Sequence, residues 1–198
     1  MTNLDKAYWE NRYEEGTTGW DAGSITRPIK AYINQLENKD LSILTPGSGP
    51  SHEAEYIHKT GFKNVHIIDV SQKVIDSFTS RYPQFPDSQI HIQNLFEHKG
   101  KYDIIIEQTC FCALEPHLRD QYLAHIKNML KSNGKFVGLL FQHKKLSVDD
   151  GPPFGGNLPY YLDLFGKYFN IKTMEDCYNS IKPREGKELW FSVKKQKS

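Results

Sequence analysis

Two glycines in the stretch GSGPSH, Gly47 to His52, follow a β-like run and precede a helical pattern. A glycine turn between strand and helix lets the backbone approach a nucleotide-like ligand with no Cβ in the way. The third glycine of the dinucleotide fingerprint is missing and no Gly-Lys-Ser/Thr follows, so neither a pyrophosphate nor a P-loop triphosphate is the expected occupant. The next β-like run ends in Asp69, about twenty residues past the turn, where doubly wound folds set a carboxylate against the hydroxyls of a ribose. Turn and acid together favour a bound nucleoside.

Other residues of the right type are scattered further along. Glu107 and Gln108 close a fourth β-like run, at the carboxyl edge where such folds hold ligands; a solvated strand end is the plainer reading. His143 follows an apolar run and titrates near neutrality, which makes it a candidate general base, although a surface or hydrogen-bonded histidine is the favoured reading. Cys110 and Cys112 are separated by one residue. In an extended segment they would face opposite ways, and free cysteines are mostly small buried hydrophobes, so no catalytic role is expected of them. The eight histidines form neither HExxH nor another compact ligand cluster, and no metal is expected.

These residues need a frame of alternating strands and helices. β-like runs recur at 40–45, 64–69, 89–93, 102–107 and 134–141. Ser71 is a natural N-cap for QKVIDSFTSRY, where Val74, Ile75 and Phe78 share one face and Pro83 ends the helix. A second helix is expected from about Pro116 to Leu130, with Leu118, Leu123, Ile126 and Leu130 along one stripe and a stop at Asn133-Gly134. The alternation requires an α/β fold with a parallel sheet. Near the C-terminus a helix follows Pro159, and NIKTME and LWFSVKK then read as two strands joined without a helix. That pair predicts an antiparallel hairpin.

The 198 residues suit a single domain, 1–198, and carry a formal net charge of +1. Such a balance does not favour a nucleic-acid partner. Three cysteines in neither a disulfide nor a CxxC pattern, a charged aromatic start and no bilayer-length apolar run predict a protein of the reducing cytoplasm, with no membrane association.

The stretches YWENRYEEGTTGWD, LTPGSGPSHEA, IIDVS, NLF, YDIIIEQTCFCAL, GPPF and PREGKELW occur in this order from Tyr8 to Trp190. In them the chain resembles the thiopurine S-methyltransferase superfamily, particularly its halide/thiol methyltransferase-like branch. The resemblance implies a Rossmann-like class I methyltransferase fold, with a seven-stranded, mostly parallel sheet and an antiparallel C-terminal strand. It also implies S-adenosylmethionine (AdoMet) as cofactor, a nucleoside without phosphate, and a small-molecule methyl acceptor, in a monomer or weak dimer.

By that resemblance Trp9, Tyr13 and Trp20, in an aromatic lid over residues 1–30, surround a sulfonium that aromatic faces attract. Gly47, Gly49 and Asp69 would hold its amino-acid end and ribose. Asn94 and Leu95 match the adenine segment, and Glu107 and Gln108 complete the cofactor set. Asn94 replaces the aspartate usual there, keeping a carbonyl acceptor but losing charge. The acceptor pocket would be walled by Phe111, Phe141, His143, Phe154 and Arg184. The implied reaction is in-line methyl transfer to a soft nucleophile such as a thiol, hydrosulfide or halide. Methylation of thiopurines or of selenium and tellurium species, or AdoMet binding with weak catalysis, are the alternatives.

Overall fold

The computed structural model describes residues 4–143 and 151–196. Seven strands form one sheet: β1 (Ile43–Pro46), β2 (Val65–Asp69), β3 (Ile90–Ile92), β4 (Tyr102–Glu107), β5 (Leu130–Phe141), β6 (Phe169–Asp176) and β7 (Glu188–Lys195). Their order is β3-β2-β1-β4-β5-β7-β6. β1 to β5 pair in parallel, while β7 runs antiparallel to both β5 and β6. Six helices are described: α1 (Lys6–Glu14), α2 (Arg27–Asn34), α3 (His52–Lys59), α4 (Gln72–Arg81), α5 (Arg119–Met129) and α6 (Leu158–Gly166).

The alternation of side chains along each strand builds two cores. Leu44, Ile68, Ile105, Phe136 and Leu140 join α5 and α6 on one face, through Tyr122, Leu123, Ile126, Tyr161 and Phe165. Their neighbours Ile43, Ile67, Ile104, Ile106, Val137 and Leu139 join α2, α3 and α4 on the other, through Ile29, Ile33, Ile57, Val74 and Phe78. Strands buried on both faces must be apolar at nearly every position, and YDIIIE is written that way. Ser71 caps α4, its hydroxyl accepting from the Val74 N–H, and Val74, Ile75 and Phe78 are the buried face expected of that helix.

The structure departs from the sequence reading in three places. The helix expected from about Pro116 to Leu130, with its stop at Asn133-Gly134, ends at Met129, because Leu130 is already laddered against Tyr102. The register then shifts before Lys135 pairs with Ile104, so Asn133-Gly134 lies in an irregular strand start rather than at a helix stop. The lid was expected to reach residue 30, yet α2 begins at Arg27 and sinks Ile29 and Ile33 fully into the core. At about 1.5–3 kcal/mol for each buried side chain, that helix belongs to the body. Finally, Phe111–Ala113 form a 3-10 turn, so the extended geometry assumed for Cys110 and Cys112 does not apply.

β1 feeds the chain to β2 on one side, while β4 lies on its other side. The crevice outside their carboxyl ends is the switch point where open α/β sheets bind ligands.

Candidate active site

At that crevice Gly47 and Gly49 have φ of +53° and +49°, in the left-handed region glycine enters freely. A Cβ at Gly47 would lie 2.7 Å from Cys110 Sγ, and one at Gly49 would lie 3.1 Å from the Tyr13 hydroxyl oxygen. The turn is braced from beneath by Asp69. Gly49 N–H donates to Asp69 Oδ2 at 2.8 Å, and Ser71 N–H donates to Oδ1 at 2.9 Å. Burial raises the carboxyl above its ordinary value, against the N–H groups of Ser71, Gly49 and Val70. Each oxygen keeps a lone pair for a ligand hydroxyl.

The lid crosses above. Trp20 meets Trp9 and Tyr13 edge-on, with centroids 5.5 and 5.7 Å away. Three polar bonds hold its trailing segment down. His52 Nε2 lies 3.0 Å from Asp21 Oδ1, Thr26 Oγ1 donates to Gln108 Oε1 at 3.0 Å, and Arg184 Nη2 donates to the Trp20 carbonyl at 2.6 Å. Beneath them is a narrow cleft, lined by Trp20 to Thr26 residues of the lid, the turn from Gly47 to Glu53, Gln108, Thr109 and Arg184.

Two lining residues, Ser51 and Thr109, have φ of +59° and +65°. They are the positive-φ non-glycine residues among those described. Such backbone costs about 1–2 kcal/mol per residue, and it clusters where a site demands it. At Ser51 the hydroxyl offsets part of the cost by bonding Ser48 Oγ and the Gly49 carbonyl, at 3.0 and 3.1 Å.

Of the residues singled out in the sequence, Trp20, Gly47, Gly49, Gln108 and Arg184 line this cleft, while Trp9, Tyr13 and Asp69 support it. Asn94 is exposed and spends its side-chain oxygen on the Phe96 N–H at 3.0 Å, capping the turn that buries Leu95. Gln93 N–H donates to the Asp69 carbonyl, so this segment borders the ribose acid through its backbone.

Others are elsewhere. Glu107 is fully buried and turned inward, accepting from the Phe111 N–H at 2.7 Å and from the Tyr122 hydroxyl. Burial raises its carboxyl to about 7, against these donors. It braces the turn after β4 instead of facing a cofactor. Phe111 and Phe154 are each 1 % exposed, so they are core rather than pocket wall. Phe111 packs edge-on and tilted among Tyr122, Tyr161 and Phe165, and the carbonyl of Phe154 accepts from buried Arg119. Phe141 lies under the Arg184 guanidinium, 5.4 Å from ring centre. His143 bonds the Gly156 carbonyl through its N–H and packs against Gly155, off the cleft lining.

Arg184 is less free than its charge suggests, because Nη1 also pairs with buried Glu188 at 3.4 Å. Burial raises the thiols of Cys110 and Cys112, the latter to about 12, which keeps both protonated at neutrality. Among the described residues no group of three or more His, Cys, Asp or Glu is disposed to hold a metal, and no helix is long and apolar enough to cross a membrane.

Sequence reasoning missed Glu53, Asp21, His52, Thr26 and Thr109. Glu53 could have been found, since the first turn of a helix that leaves a glycine loop faces the same crevice as the loop.

The fold recurs in solved methyltransferases. A crystal structure of Burkholderia thailandensis 1,6-didemethyltoxoflavin-N1-methyltransferase, with 1,6-didemethyltoxoflavin and S-adenosylhomocysteine bound, matches with a TM-score of 0.76 at 17% identity, over 98% of this chain and 88% of that one. A TehB-like SAM-dependent methyltransferase from Corynebacterium glutamicum matches at 0.69 and 16%, over 97% and 100%. Crevice, glycine turn and sheet order thus define the Rossmann-like fold of class I methyltransferases. More particularly, the chain belongs to the thiopurine S-methyltransferase (TPMT) family, whose model matches residues 4–197.

It is similar to probable thiol methyltransferase 2 of Arabidopsis thaliana, at 26% identity over 95% of this chain and 84% of that protein. It is also similar to thiocyanate methyltransferase 1 of Brassica oleracea, at 25% over 93% and 83%. A thiopurine S-methyltransferase of Vibrio parahaemolyticus is 21% identical over 83% of each chain. The residues present fit AdoMet: Gly47 and Gly49 carry the backbone along the crevice in a left-handed conformation open to glycine, and Asp69 has acceptor capacity left for a ribose.

Proposed function

We propose that this chain methylates a small soft nucleophile, a thiol, hydrosulfide, thiocyanate or halide, at the cleft under Trp20. The observation that carries the reading is the aromatic cover of Trp9, Tyr13 and Trp20 above the turn of Gly47 and Gly49. Rings set about a sulfonium attract it and keep water away, which suits transfer to a polarizable acceptor. Thiol and thiocyanate methyltransferases among the relatives support the same class.

In this reading Gly47 and Gly49 admit the cofactor's backbone-hugging end, Asp69 accepts from the ribose hydroxyls, and the Asn94-Leu95 segment walls the adenine. Trp9, Tyr13 and Trp20 turn aromatic faces and edges about the sulfonium. When bound, AdoMet supplies an electrophilic methyl group. The lid's contribution is to exclude water and align a polarizable acceptor, which are the chief requirements of an in-line displacement.

The test is calorimetry with AdoMet and S-adenosylhomocysteine, followed by headspace detection of methylated product from iodide, thiocyanate and hydrosulfide, with a thiopurine alongside. Micromolar binding, about −8 kcal/mol, with volatile methylated products is the expected result. Turnover confined to the thiopurine would replace the small-acceptor reading, and binding with no turnover at all would favour a module that only holds the cofactor.

A further inference from the structure

Glu53 sits in the first turn of α3 with its residue lining the cleft, opposite the lid and beside Arg184. The other titratable groups of the cleft are already committed. His52 and Asp21 pair with each other, and Arg184 is taken up by Glu188 and the Trp20 carbonyl. A guanidinium cannot accept a proton in any case. Glu53 lines the cleft across from Thr26 and Asp21, and no cation pairs with it among the described ion pairs.

We infer that Glu53 is the proton acceptor for methyl acceptors that carry a proton on sulfur, and so sets the preference of this site between thiols and proton-free anions. The inference rests on the soft-nucleophile reading above. Burial, the largest influence, raises the Glu53 carboxyl to about 7, with Arg184 acting the other way and Asp21 adding to the rise. A base poised there can take a thiol proton and return it to water afterwards.

The step balances. The S–H bond of the acceptor breaks and its proton passes to a Glu53 oxygen, while the sulfur lone pair forms the new S–CH₃ bond. The methyl–sulfonium bond breaks, and its electron pair stays on the departing neutral thioether. Thiocyanate and iodide have no proton to give, so for them Glu53 has nothing to accept.

The test compares wild type with Glu53→Gln, which keeps the size of the side chain and one oxygen but cannot take up a proton near neutrality. With 2-mercaptoethanol and thiocyanate as probes, the ratio of their kcat/KM values is expected to fall at least tenfold in favour of thiocyanate. The pH limb near neutrality in the wild-type thiol reaction should also disappear. Independently, the ¹³C resonance of the Glu53 carboxyl in the unliganded protein should titrate near neutrality. An unchanged ratio, meaning both acceptors lose equally or neither loses, would overturn the base role and leave Glu53 as a cofactor contact or a bystander. An ordinary acidic titration of the resonance would overturn it without any turnover. If wild type methylates no acceptor, the soft-nucleophile reading fails first, and the base role with it, whatever the titration shows.

Discussion

Replacing Asp69 with asparagine tests the brace beneath the glycine turn. The two carboxylate oxygens accept from Gly49 N–H at 2.8 Å and Ser71 N–H at 2.9 Å. Asparagine offers one oxygen and one NH₂, so one of those backbone donors must face another donor. A hydrogen bond to a charged acceptor contributes about 1.5–3 kcal/mol, and a buried donor left without a partner costs about 1–3 kcal/mol. The two overlap, so the expected loss of unfolding free energy is about 2 kcal/mol. For a chain of this size that corresponds to a fall of roughly 4–8 °C in Tm. AdoMet affinity should drop as well, by about 1–3 kcal/mol, since the ribose loses an acceptor and the turn its support. Urea unfolding followed by tryptophan fluorescence, with the slope m unchanged, measures the first quantity; calorimetry measures the second. A change below about 0.5 kcal/mol in stability together with unaltered affinity would refute the reasoning. Lost stability with intact affinity would keep the brace and remove the ribose role.

Further outcomes follow from other buried groups. Tyr122→Phe removes a hydroxyl from a fully buried pair and leaves one Glu107 oxygen without a donor, so stability should fall by about 1–3 kcal/mol in denaturant titration. Arg184→Met leaves Glu188, 2 % exposed, without its cation and releases the Trp20 carbonyl; a loss of about 3 kcal/mol and a weaker grip on AdoMet are expected. His98 is held neutral between Tyr102 and Gln93, its pKa pushed from 6.5 down to about 4, by burial first and then by His91, His66 and His125. A folded value below the unfolded one means that the unfolded chain binds the proton first. Stability from this group is therefore lost as pH falls from 6.5 towards 4, by at most about 3 kcal/mol. The carboxyls of Glu107 and Glu53, raised to about 7, act in the opposite sense. Measuring wild type against His98→Asn cancels them, and the wild-type advantage should shrink over that pH window.

Much of the frame was legible in the chain because strands buried on both faces and a Ser-capped helix leave local marks. Runs such as YDIIIE and the stripe of Val74, Ile75 and Phe78 need no tertiary knowledge to read. The resemblance carried by the N-terminal aromatic motif reached further, to the cofactor. What escaped depends on where chains meet. Phe111 and Phe154 are apolar residues in loops beside the site, and only packing decides between core and wall. Glu107 ends a strand at the ligand edge, as expected of a binding acid, yet its direction is fixed by Tyr122, fifteen residues away. Leu130 carries a helical stripe and a strand position at once, and the ladder to Tyr102 wins. Glu53 has no motif of its own; only its place in the first helical turn after the glycine loop marks it.

The insertion of β7 between β5 and β6 has a consequence for the order of assembly. β5 and β6 do not touch as ladder partners, and neither is complete until residues 188–195 have been synthesised and threaded between them. Arg184, which ties the lid at Trp20, lies just ahead of that strand and so arrives equally late. The first 120 residues can collapse around β1, β2 and β4 on the ribosome, but the catalytic crevice closes only after the most distant segments of the chain have met. Pairings of such sequence separation are slow to form. A nascent or truncated chain ending before Glu188 would expose two unpaired strand edges, the kind of surface that recruits chaperones or other chains. Pulse-labelling hydrogen exchange should accordingly find the amides of β7 protected after those of β1 and β4. Competence to hold a cofactor would then serve as a report that synthesis and folding have both finished.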